Sequence, residues 1–210
     1  MHILLTGFEP FGPHDVNPSW DAASALHGAE IAGARVAAVR LPVAWGRAPD
    51  LVVEAAASVR PALVLLVGLA AGSPAVRVEH LFVNLRHGRD SDGAQAEDAP
   101  VAEGGPVAIA AGLPVAAIVA ALRGAGIPAV ASQSAGTYIC NGTAYAVAHR
   151  MPTVPSGLLH VPATPDLVAR QQARAAAEGR EAPVTPSMAL ALITEALRLA
   201  VEVAVHHQLG

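Results

Sequence analysis

Cysteine occurs once in the 210 residues, as Cys140. A single thiol makes no internal disulfide and is too little for a cysteine-based zinc site. Three roles stay open for it: packing as a small buried hydrophobe, lying as an incidental surface thiol, or acting as a nucleophile. Charge is also scarce. Asp, Glu, Lys and Arg make up 14% of the chain, where ordinary globular proteins carry about 25%. Lysine is missing altogether, so all 13 basic residues are arginine, and the formal net charge is −4. Nucleic-acid binding, which uses a basic face, is disfavoured, and a small or neutral partner fits better. Nor is there a membrane-length apolar run. The stretch from Met188 to Val205 is broken by Glu195, Arg198 and Glu202. The opening residues, Met1 to Phe8, lack the basic start and long apolar stretch of a signal peptide and read as a first strand. The expectation is one cytoplasmic domain spanning residues 1–210, without membrane association and with a reduced thiol.

The remaining sequence alternates between two periods. Strands are expected at Ile3–Leu5, Ala34–Leu41, Ala62–Val67, Pro128–Ala131 and Gly157–Val161, with a further apolar segment over Val76–Leu85. The uninterrupted run at 62–67 is typical of a strand buried on both faces of a parallel sheet. Helices are expected from Asn17-Pro18, a capping pair, to near Gly28, and over Arg47–Val59, Leu113–Arg123 and Asn141–His149. Pro165–Ala182 reads as a helical excursion. A last helix is expected to be capped by Thr185, with Pro186 in its first turn and a polar stripe of Glu195, Arg198, Glu202 and His206. His87–Pro106 is polar, glycine-rich and without periodicity, and reads as an exposed loop. Strands alternating with helices define an α/β fold whose sheet is covered on both sides. Ligands then bind at the carboxyl ends of strands, which points to the loops after Leu5, Val67, Ala131 and Val161.

Rare side chains collect near those loops: Phe8, Phe11 and Phe82, and Asn17, Asn84 and Asn141. Asn17 is expected to be a helix cap only. Cys140 follows a strand and precedes a helix, where the helix dipole favours thiolate. A nucleophile needs a base, and the base an orienter. His160, in Leu-Leu-His-Val-Pro, has the most apolar surroundings of the nine histidines. Alone it would read as a core histidine, just as Glu79 alone would read as a solvated carboxylate. Together with Cys140 they compose a candidate Cys-His-Glu triad.

Four ordered segments resemble the pyroglutamyl peptidase I family of cysteine peptidases. They are Leu4 to Gly12 with Asn17 to Trp20, Val67 to Gly72, Ser134 to Asn141, and Leu159 to Pro162. The resemblance implies a three-layer α/β/α sandwich with a mostly parallel twisted sheet, and removal of an N-terminal pyroglutamyl residue from peptides. It implies Cys140 as nucleophile, His160 as base and acid, and Glu79 as orienter. It further implies no metal or other cofactor, and a homotetramer. Pyroglutamate is a flat, uncharged lactam, so its site should be apolar with few polar groups. Phe8 and Phe11 are candidates to bracket the ring, or to pack at a strand end. Leu69, Tyr138 and Ile139 are candidate pocket residues, the last two through backbone groups. Arg89 aligns with an arginine near the family's catalytic centre, and is otherwise an exposed loop charge.

The chain departs from the family pattern at Val43, Leu69, Ser73, His80 and Asp90. Asp90 is the most awkward, because an unpaired carboxylate near the ring pocket is costly to desolvate. Two alternatives stay open: a non-catalytic or repurposed member of the fold that binds a small neutral ligand, and a cysteine amidase for another cyclic amide.

Overall fold

The computed structural model describes residues 1–209. Its centre is a seven-stranded sheet in the order β10-β5-β11-β4-β1-β3-β2. The strands are β1 (His2–Phe8), β2 (Glu30–Ile31), β3 (Ala34–Leu41), β4 (Leu63–Leu69), β5 (Val76–Glu79), β10 (Ala129–Ser132) and β11 (Ser156–Val161). β1 pairs in parallel with β3 and β4, and β4 with β11. β5 and β10 are parallel to each other, but β5 runs antiparallel to β11. The sheet is therefore mostly parallel, with an antiparallel flank.

Alternation along the strands sorts side chains into two cores. Ile3, Leu5, Leu65, Val67, Val76, Val78 and Leu159 pack on α1 (Pro18–Ala25), α3 (Val115–Gly124) and α6 (Leu190–Leu209). Leu4, Leu66 and Leu158 face the other way, onto α2 (Arg47–Val59) and α4 (Ile139–Arg150). Three layers result, as the alternating sequence pattern and the resemblance both implied. Leu63 to Val67 are wholly buried, and each such side chain contributes about 2 kcal/mol of hydrophobic stabilisation. Among the described residues no helix is long and apolar enough to cross a membrane.

Five expectations need correction. β10 is an edge strand, with Val130 and Ala131 exposed, and not an inner one. Because it runs against β4 and β11, its carboxyl end lies at the opposite end of the sheet from theirs. Only the irregular segment after Ser132 brings the chain to the shared site. His87–Pro106 is not a featureless loop. β7 (Arg86–Arg89) and β8 (Gln95–Ala99) form an antiparallel hairpin, with an irregularity between Arg86 and Gly88. The segment over 76–85 splits into β5 and β6 (Leu81–Val83), and β6 leaves the main sheet to pair with β9 (Ala108–Ala110). Finally, α6 begins at Leu190, so Thr185 does not cap it. Ser187 bridges to Ala163 and the Met188 amide donates to the Ala163 carbonyl, which holds the lead-in extended. The 165–182 excursion is helical only over α5 (Pro165–Ala177), capped by Thr164.

Helix α1 is fixed by its predicted cap. The Asn17 side chain accepts from the Ser19 amide, and the Ser19 hydroxyl accepts from the Phe8 amide at 3.0 Å. This brings α1 against the end of β1, where Gly7 leaves no room for a side chain. A Cβ on Gly7 would stand 2.5 Å from the Trp20 Cα, and the backbone there has no way to yield. Gly7→Ala is expected to destabilise the protein by about 3 kcal/mol, measured as a lower urea midpoint with an unchanged slope.

Candidate active site

β5 and β11 together bring Glu79 and His160 into contact. Arg77 stands opposite His160 in the antiparallel register. Glu79, two residues on, projects from the same face and reaches His160 diagonally. The His160 Nδ1 lies 2.8 Å from Glu79 Oε1. Glu79 is fully buried and His160 nearly so, at 8% exposure. Burial would raise the Glu79 pKa, but the hydrogen bond from His160, with help from Ser132 and Arg77, holds it below the ordinary carboxylate range. Burial would likewise lower the His160 pKa. The Cys140 sulfur and the Glu79 carboxylate on either side of the ring overcome this and raise it to about 9. The imidazole is thus charged at neutral pH, with Nδ1 donating to the carboxylate and Nε2 on the sulfur side.

Cys140 is the second residue of α4, where the first amides have no intrahelical acceptor. The sulfur meets the imidazole over Gly68 of β4. A Cβ at Gly68 would be 2.7 Å from Cys140 Sγ and 2.8 Å from His160 Cδ2. The missing side chain at Gly68 is what lets thiol and imidazole share this space.

Beside the sulfur is a small cavity lined by Phe8, Phe11, Asn17, Val43, Leu69, Tyr138, Ile139 and Cys140. Five sequence candidates, Phe8, Phe11, Leu69, Tyr138 and Ile139, therefore converge on it. Phe8 and Ile139 are at the same time core residues, at 3% and 1% exposure. Arg89 does not join them. It is exposed and lines a more open recess with Pro10, Gly12 and Ser91, on the far side of Phe11 and Tyr138. Val43 and Asn17 line the cavity without having been predicted to. Asn17 does more than cap, since its Nδ2 also donates to the Glu9 carbonyl.

The hairpin β7–β8 is docked over the site. The Tyr138 hydroxyl donates to the Arg89 carbonyl at 2.8 Å, and the His87 amide donates to Thr137. Asp90 is not the unpaired carboxylate that the sequence suggested. Its Oδ1 accepts from the Ala94 amide at 2.7 Å and its Oδ2 from the Trp45 amide at 3.0 Å. It therefore closes the hairpin tip and ties it to the segment that carries Val43. Asn84 and Asn141 are clamps and not site groups. Asn141 bonds Val83 and Leu85, and Asn84 bonds Ala102 and Gly105. Arg77 went unremarked in the sequence. Its Nε lies 3.2 Å from Glu79 Oε1, and only its i,i+2 spacing from Glu79 on a strand could have signalled this.

A layered α/β sheet that sets a helix-terminal cysteine against a carboxylate-backed imidazole defines the class: a cysteine-dependent hydrolase. A profile of the pyroglutamyl peptidase family matches residues 1–207, and the chain belongs to that family. It is 44% identical to a pyrrolidone-carboxylate peptidase of Chromobacterium violaceum over 202 residues, covering 95% of this chain and 90% of the relative. Pyrrolidone-carboxylate peptidase 2 of Photorhabdus laumondii is 40% identical over 206 residues, covering 95% and 89%. Two solved structures are similar throughout. A mutant pyrrolidone carboxyl peptidase from the hyperthermophile Pyrococcus furiosus superposes with a TM-score of 0.92 at 34% identity, covering 99% of each chain. Pyroglutamyl peptidase I of Bacillus amyloliquefaciens gives 0.90 at 31%, covering 99% and 98%.

The Gly68 contact is directly testable. Gly68→Ala is expected to keep a native circular dichroism spectrum. The rate at which iodoacetamide alkylates Cys140 at pH 7, the only thiol in the chain, is expected to fall at least about tenfold as sulfur and imidazole are pushed apart.

Proposed function

We propose that this chain is a cysteine exopeptidase that removes an N-terminal pyroglutamyl residue from peptides through a thioester. The observation that carries the reading is the meeting of Cys140, His160 and Glu79 at the mouth of a small, mostly apolar cavity. Family membership supplies the substrate class. A lactam has no ammonium to neutralise, and the cavity lining holds no carboxylate to bind one. An ordinary aminopeptidase substrate would leave its charge unpaired there.

In this reading the Cys140 thiolate attacks the pyroglutamyl carbonyl carbon and forms a C–S bond. The oxyanion is stabilised by first-turn amides of α4 that lack helical acceptors. As the intermediate collapses, the C–N bond breaks and imidazolium His160 gives its proton to the departing amine. Neutral His160 then takes a proton from water. The hydroxide adds to the thioester, the C–S bond breaks, and free pyroglutamate leaves with the thiolate restored. Glu79 keeps the ring in one tautomer and orientation. Phe8, Phe11, Leu69 and Val43 enclose the ring, with Tyr138 and Ile139 offering backbone groups beside it. Arg89, in the outer recess, faces the peptide beyond the ring. We place the enzyme in the cytoplasm as a homo-oligomer, a tetramer by family likeness.

Cys140→Ser and His160→Ala are each expected to lower turnover of a pyroglutamyl coumarylamide at least about a thousandfold, measured by fluorescence, with the fold intact. Retained turnover in either variant would exclude the mechanism. The pH dependence follows from His160. Its folded pKa of about 9 lies above the ordinary 6.5. Its ion pair therefore contributes stability in full below about pH 6.5, and loses it as pH rises through about 9. Activity is expected to decline over the same upper limb as the proton needed by the leaving amine is lost, read as kcat/KM between pH 6 and 10.5.

A further inference from the structure

Among the described residues, Arg77 is the one cation bonded to the triad. Its Nε donates toward Glu79 Oε1, the same oxygen that takes the His160 Nδ1 proton. Its Nη2 donates to the Ser132 hydroxyl at 2.7 Å and to the Ser134 carbonyl at 3.0 Å. Ser132 ends β10, and Ser134 lies in the irregular segment that leads to Cys140. The Ser132 hydroxyl in turn reaches the Ser134 carbonyl. One guanidinium thus joins the carboxylate behind the base to the chain that delivers the nucleophile. The β5–β10 ladder ends at the Ser132–Glu79 pair, and the bond to the Ser134 carbonyl carries the tie past that end, before α4 begins. A planar fork with donors in fixed directions suits this task.

We propose that Arg77 is a positioning residue for the reaction, holding Glu79 and the 132–134 segment in one fixed relation so that His160 and Cys140 meet in register. The proposal rests on the peptidase reading above. Arg77 itself touches neither the ring cavity nor the sulfur. It acts through Glu79 on one side and through Ser132 and Ser134 on the other.

It also acts as a charge. The groups that face His160 are Glu79 from β5 and Cys140 from α4, with Arg77 behind Glu79. β4 presents Gly68, which carries none. α1 carries Asp21, whose electrostatic neighbours are Arg40 and Asp166. A cation on the shared oxygen opposes protonation of the imidazole. Removing it lets His160 keep its proton to higher pH.

The test compares wild type with Arg77→Gln, Arg77→Lys and Ser132→Ala. Each is assayed for kcat, KM and the pH profile on a pyroglutamyl coumarylamide, and for the pH dependence of iodoacetamide alkylation at Cys140. Arg77→Gln is expected to lower kcat about tenfold or more through misplacement, with KM within about twofold because the ring cavity is untouched. Its alkaline limb is expected to move up by about half a unit, the screened effect of one lost charge. Arg77→Lys should return the limb to its wild-type position while leaving kcat reduced. Ser132→Ala should lower kcat without moving the limb. Wild-type kcat in Arg77→Gln, or a lowered kcat with an unmoved limb, would overturn the proposal. If Arg77→Gln does not fold, Arg77→Lys and Ser132→Ala decide: reduced kcat in both supports positioning, and wild-type kcat in both refutes it. Failure of the peptidase reading would look different. Wild type itself would not turn over the amide, while the alkylation profile would still report whether His160 titrates differently without Arg77.

Discussion

The hydrogen bond between Glu79 and His160 is the interaction around which the molecule is arranged. It places a carboxylate with no solvent exposure beside an imidazole that is nearly as buried. Either group alone would be expensive at that depth, and each is tolerable only because the other is charged. The pairing in turn dictates the sheet. β11 must lie between β4 and β5, with β5 reversed, so that Glu79 reaches across diagonally while Gly68 on the other side stays bare. The two cores on either face hold those three strands in that register.

Much of this was legible in the sequence because local signals and tertiary structure agree. The bounds predicted for α2, Arg47–Val59, are those observed. The Asn17–Pro18 cap opens α1 as expected. Cys140, His160 and Glu79 could be singled out because their surroundings were unusual for their residue types, and the structure brings the three together. What was illegible was non-local. Strand direction leaves no mark on a four-residue apolar segment, so the reversal of β5 and β10 could not be read. The hairpin β7–β8 is held by Asp90, Tyr138 and backbone bonds to Val43, with Ala96 its buried strand residue, and no hydrophobic alternation announces it. The late start of α6 reflects a bridge to Ala163, more than twenty residues earlier in the chain. Arg77 was missed because its meaning depends on where β10 ends.

The positions that depart from the family pattern are accounted for locally. Asp90 exchanges burial cost for two backbone hydrogen bonds and becomes a hinge pin for the hairpin. The Ser73 hydroxyl bonds Ala75 and closes its own turn. His80 contributes its backbone, accepting from Ala111 and donating to Ser132. Leu69 and Val43 both line the small cavity beside Cys140 with apolar side chains. The triad geometry is untouched by any of them. The changes concern the lining of the cavity beside Cys140 and the fastening of the covering hairpin.

The position of β11 has a consequence for the life of the chain before it is complete. β11 is the last strand of the main sheet to be synthesised, yet it occupies the middle of that sheet, between β4 and β5. A ribosome-bound chain that has exposed Cys140 has not yet placed His160. Its sheet remains two separate halves until residues 156–161 emerge and insert. Cys140 therefore precedes its imidazole partner, His160, in synthesis. A product truncated before residue 156 would carry Cys140 without the strand that sets His160 beside it.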